Sequence, residues 1–226
     1  MLDLPLTYKL PIMVLALLIA IIGHEIMHGY IALKFGDTTA RDAGRLSLNP
    51  IIHIDLVGSI LLPATLLIFN APFLFGWAKP VPVRTDKVIN YGGYFGAFSV
   101  SIAGVAYNFA LAIFASLFIY LLNNGIFNGL TSLENGIFII TLLLYFCLQL
   151  LIYNVILAVF NSLPIPPLDG SNALTYLGLM FQNDFFARIF HKIPPIAGML
   201  FLIILLSTPL SQVIFAPVQY IINLLL

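Results

Sequence analysis

Residues 10–22 are apolar throughout, apart from Pro11, and the chain then reads Gly23-His24-Glu25-Ile26-Met27-His28. This pattern predicts a first membrane helix over about 8–34, ended by Gly36-Asp37. Its first part is purely apolar and its last turns carry the polar residues. On a helix, His24 and His28 are i and i+4, so both imidazoles leave one face.

Further apolar blocks follow. Residues 37–50 are polar for this chain and include Arg41 and Arg45. The stretch 56–77 is long enough to span a bilayer, but Gly58, Pro63, Asn70, Pro72 and Gly76 interrupt it. In 79–84, Pro80 and Pro82 alternate with other residues, which suits an extended edge or loop better than a helix. A second span is predicted over about 93–122. Its first half is rich in small residues that permit close helix packing, and it holds Asn108. A loop at 123–135 leads to a third span over about 136–160. Prolines at 164, 166 and 167 then force an irregular loop at 161–170, tolerated at membrane depth only where protein or a cavity surrounds it. An amphipathic stretch at 171–190 precedes an apolar tail at 194–226, broken at Pro209, which reads as one further span and a C-terminal membrane helix.

Composition narrows the class. Only 8% of the 226 residues are charged and 61% are hydrophobic, with a mean hydropathy of +1.07. Soluble domains carry about a quarter charged residues, so the chain is expected to be an integral membrane protein embedded in a lipid bilayer. Nine basic and nine acidic groups balance, which gives no reason to expect a nucleic-acid partner. Cys147, the one cysteine, excludes an intramolecular disulfide and reads as a small buried hydrophobe. No A-x-A-like cleavage site follows the first apolar run, so that run is expected to be a retained span. Basic residues cluster after the first span, before the second and after the third, and the loop at 123–135 has none. The positive-inside rule then places those clusters in the cytoplasm, provided 56–77 is re-entrant. A multi-pass cell (inner) membrane protein is expected, its N-terminus outside and its active site towards the cytoplasm.

Two histidines and a carboxylate in a membrane segment are costly and are kept mainly for function. Zinc commonly takes neutral imidazoles at this spacing, and Glu25 between them can act as general base on a water. A catalytic zinc needs a third protein ligand. Cysteine is scarce and His53 and His191 lie in loops, so Asp169 is the strongest candidate, its backbone constrained by the prolines before it and given a tight turn by Gly170 after it. The plainer alternatives are that Asp169 is a turn residue or helix cap, that Asn161 caps the third span, that His53 makes a loop hydrogen bond, and that Asn108 only bridges helices.

His24-Glu25-x-x-His28, together with Asn161-x-x-Pro164-x-Pro166-Pro167-Leu168-Asp169-Gly170, resembles the site-two protease family of intramembrane zinc metalloproteases. Asn49-Pro50-x-x-His53-Ile54-Asp55-x-x-Gly58 and Gly76-Trp77-Ala78-Lys79-Pro80-Val81-Pro82-Val83 resemble its compact prokaryotic branch without PDZ domains. The resemblance covers roughly residues 20–175. It implies one Zn2+ per chain held by His24, His28 and Asp169, with Glu25 catalytic and Asn161 helping to hold the substrate or the oxyanion. It also implies re-entrant strands before the second span. One departure is Gly104-Val105-Ala106-Tyr107-Asn108, where the family often has Gly-Pro before the asparagine. This is expected to bear on packing and not on the metal site.

Together these readings predict an all-α polytopic membrane protein of about four to six transmembrane helices around an intramembrane metal site. It would have a re-entrant, extended or strand-like region at about 46–83. One metalloprotease domain is expected over 1–226, with a catalytic core at about 8–175 and C-terminal membrane helices at about 194–226. The expected reaction is hydrolysis of a peptide bond within or beside a substrate's transmembrane segment. Free strand edges at 51–83 could pair with the unwound substrate. The alternative from another class is a zinc transporter or sensor, which would place polar ligands along several spans.

Overall fold

The computed structural model describes residues 4–61, 64–65, 68–69, 77–125 and 135–226. Helix α1 (Leu6–Lys34) is followed by the short α2 (Thr39–Asp42), then α3 (Thr85–Asn123) and α4 (Gly136–Asn161). The chain continues with α5 (Asp169–Met180), α6 (Phe185–Phe190), α7 (Pro195–Leu206) and α8 (Ser211–Leu225). Three of these, α1, α3 and α4, are long and apolar enough to cross a membrane. Helices α7 and α8 are bent by 80° and make a fourth span only if taken together. At 12 and 15 residues, each rises about 18–22 Å, short of a hydrocarbon core about 30 Å thick. Among the described residues, the expected range of four to six is therefore reached only at its lower edge.

Helix α1 ends as its sequence indicates. Gly36 adopts φ +83°, and the Asp37 amide turns back to the Ala32 carbonyl at 3.0 Å. Fully buried Asp37 then accepts from the Arg84 amide at 2.6 Å and lies 3.7 Å from the Lys87 ammonium, so the end of α1 and the start of α3 share one end of the molecule. In α3 the helix breaks at Gly93 (φ 61°), where the second span was expected to begin. Buried alanines line the helix contacts: Ala16 and Ala20 on α1, and Ala112 and Ala115 on α3. Their small side chains let the backbones approach closely. Leu10, Val14, Phe114 and Leu117 stay exposed, as residues facing lipid would.

Among the described residues the 46–83 region contains no strand. It has a 3-10 turn at Pro50–His53, a π turn at Leu56–Leu61, and an irregular run at 77–84. Pro80 and Pro82 lack the amide hydrogens that a ladder needs, which gives the expected strands a physical reason to be missing here. The two described ends of the region meet. The Trp77 amide meets the Gly58 carbonyl at 3.1 Å and the Lys79 amide meets the His53 carbonyl at 2.9 Å, so residues 53–58 lie beside 77–79. Most of 62–76 and of the 123–135 loop lies outside the described residues.

Candidate metal centre

The last turns of α1 and the first residue of α5 bring three side-chain atoms together. His24 Nε2 and His28 Nε2 are 3.1 Å apart, and Asp169 Oδ2 lies 3.0 Å from the first and 3.2 Å from the second. The other ring nitrogens identify what these atoms carry. His28 Nδ1 lies 2.7 Å from the Val100 carbonyl oxygen, which only accepts, so the hydrogen is on Nδ1. His24 Nδ1 lies 2.6 Å from Asn108 Oδ1. Neutral imidazoles bonded in this way turn a lone pair inward at Nε2. Asp169 Oδ2 is buried and no donor satisfies it among the described residues.

With both rings neutral, as metal ligands must be, three lone pairs converge here, an arrangement that repels unless a cation sits among them. Tetrahedral zinc at about 2.0–2.1 Å from each ligand would set its ligands about 3.3 Å apart, close to the spacing found. Two imidazoles and one carboxylate also match catalytic zinc chemistry, which leaves a position open. The donor set fits the metal.

The stretch Gly104–Asn108, expected to matter for packing alone, bears directly on this centre. Val100, Gly104 and Asn108 recur every four residues along α3 and present one stripe to α1. Val100 holds His28, Asn108 holds His24, and Gly104 lies beneath the His24 ring. A Cβ on Gly104 would stand 2.4 Å from His24 Cε1. Glycine is required here because the ring occupies that space.

Asp169 reaches the site differently from the turn expected around it. The irregular loop lies before it, and Asp169 is already the first residue of α5, with Leu168 as the cap. Gly170 is helical. A Cβ there would lie 2.3 Å from the Ser162 carbonyl, so glycine lets the start of α5 press against the end of α4.

Glu25, on the neighbouring face of α1, accepts the Val81 amide through Oε2 at 2.9 Å. Together with His24, His28, Asp169 and Asn161 it lines a cavity of about 490 Å³. Trp77, Ala78, Pro80 and Val81 form another wall. Asn161 ends α4, and its Nδ2 donates to the Leu157 carbonyl at 3.0 Å. His53 is buried away from the cavity, with Nε2 2.9 Å from the Ser47 carbonyl oxygen, a loop hydrogen bond. Sequence reasoning overlooked Asn154, which is fully buried on α4 and accepts from Asn108 at 2.7 Å. An asparagine in the middle of a largely apolar span was the available signal.

The sequence is similar to a curated protein of Bacillus subtilis (strain 168) named "Putative zinc metalloprotease YwhC". The two are 37% identical over 163 residues, which cover 71% of this chain and 66% of that protein. The relationship supports a zinc metalloprotease. The match spans just under two thirds of the relative's own length. No family model matches the chain, and no solved structure matches it significantly.

Proposed function

We propose that the chain is an intramembrane zinc endopeptidase of the site-two type, cleaving a peptide bond within or beside a membrane protein's transmembrane segment. The observation that carries this reading is the convergence of three ligand atoms, two imidazole nitrogens and a carboxylate oxygen, beside Glu25 at the end of an apolar, span-length helix. Zinc held by His24, His28 and Asp169 would supply a Lewis acid that acidifies water and polarises a peptide carbonyl. Glu25 is the general base. Its Oε2 is held by Val81, leaving Oε1 to take the proton of the attacking water and hand it to the leaving amine. Asn161 spends one amide hydrogen on Leu157 and keeps the other for the carbonyl oxygen of the scissile bond.

The run at 77–84 would receive the unwound substrate. Its outer side is held by the loop before it, through Trp77 to Gly58, Lys79 to His53, and Arg45 to the Lys79 and Pro80 carbonyls. Among the described residues, no hydrogen bond uses the Ala78 and Val83 amides, and both residues line the cavity. A peptide could add there by main-chain pairing. Lys34, Arg41, Arg84 and Lys87 gather at the same end as the centre, which supports a cytoplasmic-facing site in the cell (inner) membrane.

The test is zinc analysis with a cleavage assay on the full chain in lipid. Wild-type chain should hold one zinc and cleave a membrane-tethered reporter, a chelator should stop cleavage, and added zinc should restore it. His24→Ala and Asp169→Ala should lose both metal and cleavage. Zinc retained in those variants, or metal-loaded chain that moves zinc across vesicles without cleaving any reporter, would overturn the reading.

A further inference from the structure

Asn154 lies seven residues before Asn161 on α4 and is fully buried. Its Nδ2 donates to the Leu150 carbonyl at 2.7 Å, one turn back on its own helix. A carbonyl can only accept, so this bond fixes which end of the carboxamide is nitrogen and turns Oδ1 towards α3. There Oδ1 accepts from Asn108 Nδ2 at 2.7 Å, and Nδ2 donates its second hydrogen to the Ala20 carbonyl at 3.1 Å. Both amide hydrogens of Asn108 are spent, and its Oδ1 is left facing His24 Nδ1 at 2.6 Å.

The chain of bonds therefore has one direction. It starts at a backbone carbonyl of α4, passes through two buried carboxamides, and ends by requiring a hydrogen on His24 Nδ1. Flipping either carboxamide would set like against like where both side chains are fully buried. We propose that Asn154, acting through Asn108, is a positioning residue that holds His24 in its Nδ1-protonated tautomer and so sets the chain's affinity for its metal. This rests on the reading of His24 as a metal ligand. Outer partners of ligating histidines act in this way in general, and losing one costs about 10–100-fold in metal affinity. Simple bridging of α1, α3 and α4 would lower stability without changing the ring's tautomer.

The experiment uses the full chain in detergent, with ¹⁵N-labelled histidine and zinc binding measured by competition with a chelator. In zinc-free wild-type chain, His24 should be a single Nδ1–H tautomer. Asn154→Leu frees Asn108 to turn, so His24 should become a mixture of tautomers and zinc binding should weaken about 10–100-fold. Asn154→Asp, whose carboxylic acid form donates to the Leu150 carbonyl and keeps an oxygen facing Asn108, should restore most of the affinity. Tyr107→Phe is the structural control. It removes a different hydrogen bond across the α1–α3 contact, from the Tyr107 hydroxyl to the Ile19 carbonyl at 3.2 Å, and should leave both readouts unchanged.

The proposal is overturned if Asn154→Leu binds zinc as tightly as wild type, or if Tyr107→Phe weakens binding equally. An Nε2–H His24 in the zinc-free wild-type chain overturns it as well, whether or not Asn154→Leu folds. A wild-type chain that takes up no zinc overturns the metal reading and the proposal together. One that binds zinc through His24 yet ignores Asn154→Leu overturns the proposal alone.

Discussion

Val81 donates its amide hydrogen to Glu25 Oε2 at 2.9 Å, joining the irregular run at 77–84 to the first membrane helix. Residues 80 and 82 are prolines, so Val81 carries the one amide hydrogen between residues 80 and 82, and it goes to the carboxylate. The same bond aims the proposed base and anchors the proposed substrate-receiving segment.

Val81→Pro removes that donor without touching a metal ligand. Cleavage should fall about 10²-fold, the cost of a small misplacement of a reacting group, with zinc content unchanged. Metal analysis beside the reporter assay checks it; loss of zinc in step with cleavage would show a wider disruption than the one described.

Gly104→Ala places a methyl group where the His24 ring lies. Overpacking of this kind costs about 1–3 kcal/mol, and the ring must also leave its place over α3. Both the unfolding temperature and zinc occupancy should drop. An alanine variant with wild-type zinc would mean that the ring and helix have room to part.

Arg45 is 8% exposed, and its guanidinium donates to the Lys79 carbonyl at 2.7 Å. Arg45→Met keeps much of the apolar stem and removes the bonds that hold the outer side of 77–84. Cleavage should weaken mainly through a higher KM, because the metal centre is untouched. A fall confined to kcat would argue that this segment does not receive substrate.

Asp37 lies just past the end of α1, and opposing effects set its protonation. Burial pushes its carboxyl up, but hydrogen bonds from the Thr39 hydroxyl and from the Arg84 and Thr39 amides, with Lys87 nearby, hold it below the usual carboxylate range. A carboxyl lowered on folding stabilises the fold above its unfolded pKa of about 3.9, and that contribution is lost as pH falls further through the folded value. Unfolding temperature should therefore decline below about pH 4. Asp37→Asn should be less stable at neutral pH and show a shallower decline on acidification.

The candidate metal ligands are legible in the sequence because two histidines at i and i+4 in an apolar helix have few other uses, and Asp169 follows directly on a loop that prolines deny to a helix. The end of α1 at Gly36 and the break in α3 at Gly93 are legible for the same kind of reason, since glycine marks where φ turns positive. What supports the ligands is much harder to read. Val100 contributes a backbone carbonyl, which leaves no trace in residue type. Gly104 reads as a packing residue until the His24 ring is seen above it. Asn154 belongs to the site only through Asn108, a relationship set by how α3 and α4 cross. The strand-like expectation for 46–83 weighed the extended preference of proline-flanked residues and underweighted the hydrogen bonds that those prolines cannot make.

The central claim is that Glu25 works on a bound metal without holding it. Glu25→Gln removes the base and keeps the side chain's size, and wild-type and variant chains would be compared in vesicles for zinc content and for cleavage of a membrane-tethered reporter. The account predicts full zinc occupancy with cleavage reduced about 10²–10⁴-fold or more. A variant that keeps its zinc and still cleaves at the wild-type rate would contradict it.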